Sequence, residues 1–292
     1  MAAKVWFTRP DGVSVDLNDQ VNTFAMVGLD GEMMPGFEFQ EATSPLIAGS
    51  VVQAVRAQPR TFDLPVMVLD VDWPGALARA RNLAKSLNPG LGEGKLYMNF
   101  SADPAAARYM NCRYREGWSG DGNEENQFSH YIRAALRFYA ADPFWYDLSP
   151  VALWTTNPIT TAIFFGATFF PIAFQASAGN ASATLTNNGD VPAWPVFAIT
   201  GPGTRFVATN TTTGKVLDVN ATLAAGDTLT IDTRPRTRSV KDGAGVNRFA
   251  YLTAGSSLWG LAPGANEVTL AITSGTAASG FSMAADVPYL TA

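Results

Sequence analysis

Apolar and polar residues alternate along much of the chain, the period of two that marks strands with one buried face. In TFDLPVMVLD (61–70), Phe62, Leu64, Val66 and Val68 share a face, and in KLYMNF the same holds for Leu96, Met98 and Phe100. The longest alternation is FSHYIRAALRF. It puts Phe128, His130, Ile132, Ala134, Leu136 and Phe138 on one side and Tyr131, Arg133, Arg137 and Tyr139 on the other. One segment, DWPGALARARNLAKSLNPG, has a helical period instead. The spacing predicts a helix over 72–87, with Asp72 as cap, Pro74 in the first turn and Leu77, Ala80, Ala84 and Leu87 as an apolar stripe. Asn88, Pro89 and Gly90 stop it.

Beyond about residue 148 the chain turns to Thr, Gly, Ala and Asn. Turn signals recur there, among them NNGD (187–190), GPG (201–203), AAGD (224–227), DGAG (242–245) and APGAN (262–266). The short runs between them, such as PVFAIT, KVLDV, TLTID and EVTLAIT, are spaced as in an antiparallel sandwich. The expected organisation is mainly β: a domain over 1–148 with one helix, and an antiparallel β-sandwich over 149–292, joined near DPFWYDLSP. The most apolar segment, IFFGATFFPIAF (163–174), is too short to span a bilayer as a helix and is broken by Gly166 and Pro171. A buried strand, with no membrane insertion, is the expectation.

The 292 residues allow two cores of ordinary size. A net charge of −5 argues against broad attraction to DNA or to anionic lipid. Cys112 is the only cysteine, so no internal disulfide or cysteine-rich zinc site can form, and a small buried side chain is expected there. The segment after Lys4 has no apolar run of the secretory kind, so synthesis in a cytoplasm is expected.

Catalytic signals are thin. The single histidine, His130, falls in a strand pattern among apolar neighbours and reads as structural. GWSGD (117–121) lacks the final glycine of a nucleophile elbow and the strand-turn-helix context that would expose Ser119. DGNEEN (121–126) spaces Asp121, Asn123 and Glu125 as a calcium loop would, but has no glycine at the sixth position. Asp218, Asp227 and Asp232 lie beside turns and read as turn formers, the alternative being paired acids of a glycosidase. No phosphate-binding or dinucleotide fingerprint occurs. No enzyme and no cofactor or metal site is expected.

Two clusters point to assembly. Arg234, Arg236 and Arg238 are two apart, so in a strand they would project from one face of an exposed ribbon, with DGAG turning the chain back. Without interleaved aromatic rings they suit another copy's carboxylates better than nucleic acid. Phe144, Trp145 and Tyr146 follow the best strand, either filling the join between the domains or anchoring a neighbouring subunit.

The order ADPFWYD, FFPIAF, TNNGDVPAWPVFAITG, TGKVLDVNATLAAGDTLTIDT, LWGLAPGANEVTLAI resembles the distal tail proteins of bacteriophages with long, non-contractile tails. The shared elements are the turn at Asn188, Gly189 and Asp190, the strand from Gly226 to Thr233, and the turn from Leu261 to Asn266. The resemblance implies a belt-type N-terminal β domain and a galectin-like C-terminal sandwich. It also implies six copies in a ring that joins the tail tube protein to the tail-tip hub protein and lets DNA pass. The expected location is the distal end of the virion tail. The helix at 72–87 and a long hairpin around SADPAA (101–106) would lie in the belt. The alternative is a carbohydrate-binding sandwich for adhesion, with Trp259 or Trp194 as the exposed aromatic.

Overall fold

The computed structural model describes residues 4–25, 33–44, 46–119, 130–148, 150–156, 161–163, 173–175 and 178–292. Contacts divide the chain into two units, Met1–Leu148 with Tyr289–Ala292, and Ser149–Pro288. The last four residues thus belong with the first unit rather than with the sandwich.

The first unit holds β1 (Lys4–Thr8), β2 (Ser14–Asp16), β3 (Thr23–Ala25), β4 (Phe37–Ser44), β5 (Ile47–Ala57), β6 (Arg60–Leu69), helix α1 (Trp73–Ser86), β7 (Gly94–Asn99), β8 (Arg108–Glu116), β9 (Tyr131–Ala140) and β10 (Trp145–Asp147). Its main sheet runs β2-β1-β7-β8-β9-β6-β3. Phe62, Leu64, Val66 and Val68 of β6 are buried as their alternation predicts, opposite Phe138, Leu136, Ala134 and Ile132 of β9. Leu96 and Met98 are buried too, but Phe100 lies past the end of β7 and is exposed. Strand β9 begins at Tyr131, so His130 is a turn residue with φ of 54° and not a member of the strand; Phe128 lies outside the described residues.

Helix α1 is capped as expected, with the Asp72 carboxylate accepting from the Gly75 N–H at 2.7 Å. Its buried positions are Ala76, Ala80 and Leu83, with Leu87 just beyond its end; Ala84 is exposed and Leu77 half-buried, so the stripe is rotated by about one residue from the predicted one. The stop at Asn88 is also a cap, its side chain accepting from Gly90 N–H. Gly117 follows β8 with φ of +101°, and a side chain there would run into the carbonyl of Ala135 on β9.

The longest hairpin is β4–β5 and not the link around 101–106, which joins β7 to β8 through a short 3-10 turn. The C-terminal residues complete this unit. Buried Arg60 donates to the carbonyls of Met33 and Leu290 at 2.8 and 3.0 Å, and Arg108 donates to that of Thr291 at 2.8 Å. The Tyr289 hydroxyl donates to Asp147 at 3.1 Å, and Arg108 lies 3.5 Å over its ring.

The second unit holds β11 (Val151–Thr156), β12 (Thr161–Ile163), β13 (Ala173–Gln175), β14 (Ala178–Asn187), β15 (Val196–Thr200), β16 (Gly203–Asn210), β17 (Lys215–Leu223), β18 (Thr228–Asp232), β19 (Ser239–Asp242), β20 (Gly264–Thr273) and β21 (Gly280–Ala285). Two antiparallel sheets, β11-β21-β15-β18-β19 and β14-β20-β16-β17, enclose one core between them. Phe197, Ile199 and Ile231 of the first meet Phe206, Leu217 and Leu270 of the second, so the predicted sandwich is present. The segment 164–172 of the apolar run lies outside the described residues, while β12 and β13 at its ends pair antiparallel.

Buried asparagines tie the turns of this unit. Asn187 donates to the carbonyls of Val191 and Leu261 and accepts from Gly189 N–H. Asn266 donates to Ala262 and Gly264 and accepts from Ala262 N–H and from Asn210. Each bond satisfies a polar group that the core would otherwise desolvate.

Replacing Asn266 by alanine is expected to destabilise the second unit by about 2–4 kcal/mol, since it strands several buried partners; urea unfolding followed by fluorescence measures it. Removing Tyr289–Ala292 should lower the melting temperature of the first unit and leave that of the second unchanged in calorimetry.

Candidate assembly surface

The hairpin β4–β5 forms a sheet of its own. Its register shifts twice, between Gln40 and Glu41 and between Thr43 and Ser44. Phe39 is 57% exposed and Leu46 94%, while Val51, Val52 and Val55 stand about half in water. Ser50 donates to Glu41 at 2.6 Å and Arg56 pairs with Glu38 at 3.1 Å, which ties the two strands together on both faces. A two-stranded ribbon is marginal in water by itself, and among the described residues neither of its outer edges pairs with another strand. Exposed valines and a phenylalanine between such edges are the features that association covers.

The arginine cluster takes a different shape from the predicted ribbon. Strand β18 ends at Asp232 and β19 starts at Ser239, so Arg234, Arg236 and Arg238 lie in the turn between them, closed by Thr237 N–H donating to Arg234 O at 3.1 Å. Pro235 and the tight turn prevent the three side chains from lining one face. Arg234 points back into its own unit, donating to both oxygens of Asp232 at 2.8–3.2 Å and to Asp286 at 3.2 Å. Arg236 and Arg238 are exposed. Burial raises the Asp232 carboxyl, but the bonds from Arg234 and from the Thr237 hydroxyl outweigh it and hold the group below the ordinary value. The turn at 242–245 does reverse the chain as expected, through Asp242 and Val246.

Of the three aromatics, Trp145 is fully buried in the core of the first unit, 6.4 Å from the Phe62 ring, which leaves no face of it for a neighbouring copy. Phe144 and Tyr146 are half-buried, and the Tyr146 hydroxyl donates to Asp142 at 3.0 Å.

The candidate acids are held by separate partners. Asp218 takes Arg205 in a two-pronged pair at 2.7 and 2.9 Å and accepts from Thr253, and the guanidinium holds its carboxyl below the usual range. Asp227 accepts from Ala224 N–H within its turn, and Asp232 serves Arg234. A glycosidase needs one carboxylic acid with a raised pKa, and these two shifted acids move the other way. Trp259 is 3% exposed, packed edge-on against Phe197 and donating to Ala208 O, so it is a core residue and no platform for a sugar; Trp194 is half-buried. Burial pushes the Cys112 thiol up. Among the described residues no three metal-ligating side chains converge; the loop 121–126 lies outside them, and Ser119 is followed by such residues.

The sequence reading missed the β4–β5 arm. The usable signal was composition, the β-branched and aromatic residues of GFEFQEATS and SVVQAVRA, since polar and apolar residues occur on both faces.

Residues 188–282 match the family model described as the siphovirus-type tail component, C-terminal domain. The Dit protein (gp 19.1) of phage SPP1, described as a paradigm of the hub adsorption apparatus in phages infecting Gram-positive bacteria, has a similar fold. Its TM-score is 0.63 at 17% identity, over 94% of this chain and 98% of that one. Chains of the phage P2 baseplate in its activated conformation, with Ca and with Sr, are similar at TM-scores of 0.52 and 0.50, with 8% and 7% identity, each covering 97% of this chain and 98% of theirs. No curated protein matches the sequence. The resemblance to distal tail proteins drawn from the turn and strand motifs is borne out.

The Asp232–Arg234 pair should be visible in acid. A lowered carboxylate contributes stability that is present above its unfolded value and lost as pH falls through the folded one. Arg234→Gln should therefore melt at a lower temperature than the parent at neutral pH, with the difference closing as pH is taken below the ordinary aspartate value of 3.8. A difference unaltered by acid would contradict the pairing.

Proposed function

We propose that this chain, which carries a siphovirus-type tail component domain over residues 188–282, is an enzymatically inert structural protein at the distal end of a phage tail. Six copies close a ring that joins the tail tube protein to the tail-tip hub protein, and DNA passes through its opening. The protein is made in the host cytoplasm and ends in the virion. Host recognition falls to another component.

The observation that carries the reading is the β4–β5 arm. Its exposed Phe39, Val51, Val52 and Val55, and edges that pair with no other strand among the described residues, form a surface suited to a neighbouring copy. In a cyclic assembly the arm of one copy meets a different surface on the next, and the contacts close by rotation. Phe144, Tyr146, Arg236 and Arg238 are the further side chains we assign to contact between copies.

Light scattering and negative-stain microscopy of the purified protein test this. The intact chain should form closed rings, and a variant with the arm replaced by a short Gly-Ser link should remain folded and monomeric. An intact chain that stays monomeric at high concentration, or a link variant that still forms rings, would contradict the proposal.

A further inference from the structure

We infer that the face of the first sheet turned away from its core is a non-specific contact surface for the phosphate backbone of duplex DNA. The inference does not depend on ring formation. Residues 149–292 carry equal numbers of acidic and basic side chains, so the whole net charge of −5 lies in residues 1–148. Cations gathered on one face of that acidic unit depart from its average.

The odd-numbered positions of β8 and β9 place Arg113, Arg133 and Arg137 on this face together with Tyr131 and Tyr139, and Arg115 sits at the bulge beside them. Farther across the sheet, Lys4 and Trp6 of β1 and Lys95 and Tyr97 of β7 share it, since Val5, Phe7, Leu96 and Met98 occupy the core side. Cations and rings are therefore interleaved along several adjoining strands.

What holds these cations decides their use. Lys4 lies 5.6 Å from the Trp6 ring, Lys95 4.0 Å from Tyr109, Arg133 4.7 Å from Tyr131 and Arg115 6.0 Å from Tyr139. A ring orders a cation without cancelling its charge. The ion pairs on this face go to Arg137, which takes Asp63 at 2.7 Å and Glu116 at 3.0 Å. Among the described residues, none of those four ring-held cations, nor Arg113, forms an ion pair. Asp16, opposite Trp6, is a further acid on the face and accepts from the Asn18 N–H at 3.0 Å.

One row of rings on this face is covered by its own neighbours. Trp6, Tyr97, Tyr109 and Tyr146 sit directly opposite one another on adjoining strands, with centroids 4.8, 5.6 and 5.7 Å apart in turn. Stacking on unpaired bases needs open ring faces, which this row does not offer. Fixed cations and tyrosine hydroxyls suit phosphate oxygens, which carry no sequence information. Arginine, tyrosine and tryptophan are also common in contacts between proteins, but the middle of such contacts is apolar and depleted in charge, whereas this face sets cations among its rings. Protein–DNA surfaces are the more polar and positive kind.

The test is anisotropy of a fluorescein-labelled random-sequence duplex titrated with the full chain at about 50 and about 200 mM salt. Binding at the lower salt with a dissociation constant of roughly 10⁻⁴–10⁻⁶ M, weakening steeply at the higher, is expected. Arg113→Gln, Arg115→Gln and Arg133→Gln together should lose about tenfold or more in affinity. Lys4→Gln with Lys95→Gln gives a second loss on different strands, while Lys215→Gln with Lys241→Gln, exposed in the second unit, should bind like the parent. No binding at low salt, or parental binding by both face variants, would overturn the inference. Displacement of the duplex by polyglutamate at much lower charge concentration would also overturn it, in favour of an acidic protein.

Discussion

A β-sheet can give only one face to its own core, and the chemistry on the other face and at its edges fixes what the molecule can meet. In the first unit, β1, β7, β8, β9 and β6 send alternate residues to one buried layer built around Phe62, Leu64, Leu136 and Phe138. The opposite positions of β1, β7, β8 and β9 carry arginines, lysines and aromatic rings. Among the described residues the β4–β5 ribbon pairs with no further strand, and Val51, Val52 and Val55 are exposed. The second unit meets the constraint differently, by setting two sheets face to face around Phe197, Phe206 and Leu270.

Strand positions with strong contrast between faces were legible in the sequence. In β9 the apolar Ile132, Leu136 and Phe138 alternate with Arg133, Arg137 and Tyr139, and a shift by one would send the apolar set to solvent, so the pattern admits a single answer. The helix was legible in extent but not in rotation. Its surface is rich in alanine, and Ala76 with Leu83 or Leu77 with Ala84 could each complete a stripe through Ala80; the sheet beneath α1 selects the first pair. The turn motifs of the second unit were legible because Asn187 and Asn266 have a local task, satisfying turn carbonyls and N–H groups within a few residues.

The candidate surface was much less legible. Charges two apart at Arg234, Arg236 and Arg238 look like one face of a strand, and spacing cannot reveal that Asp232 and Asp286 draw the first of them inward. Trp145 looked like an anchor because large rings dominate interfaces, yet the same area makes it a core residue when a sheet is there to cover it. The arm was missed because polar and apolar residues mix on both of its faces. A ribbon with neither face committed to a core gives no periodic contrast.

The central claim is that residues 37–57 are stabilised by a neighbouring molecule and not by their own unit. Hydrogen–deuterium exchange of the intact chain, followed by mass spectrometry over a wide range of protein concentration, addresses it directly. Amides of β4 and β5 should exchange fast in dilute solution and become protected as concentration rises, while those of β6 and β9 stay protected throughout. Equal protection of the hairpin at every concentration would contradict the account.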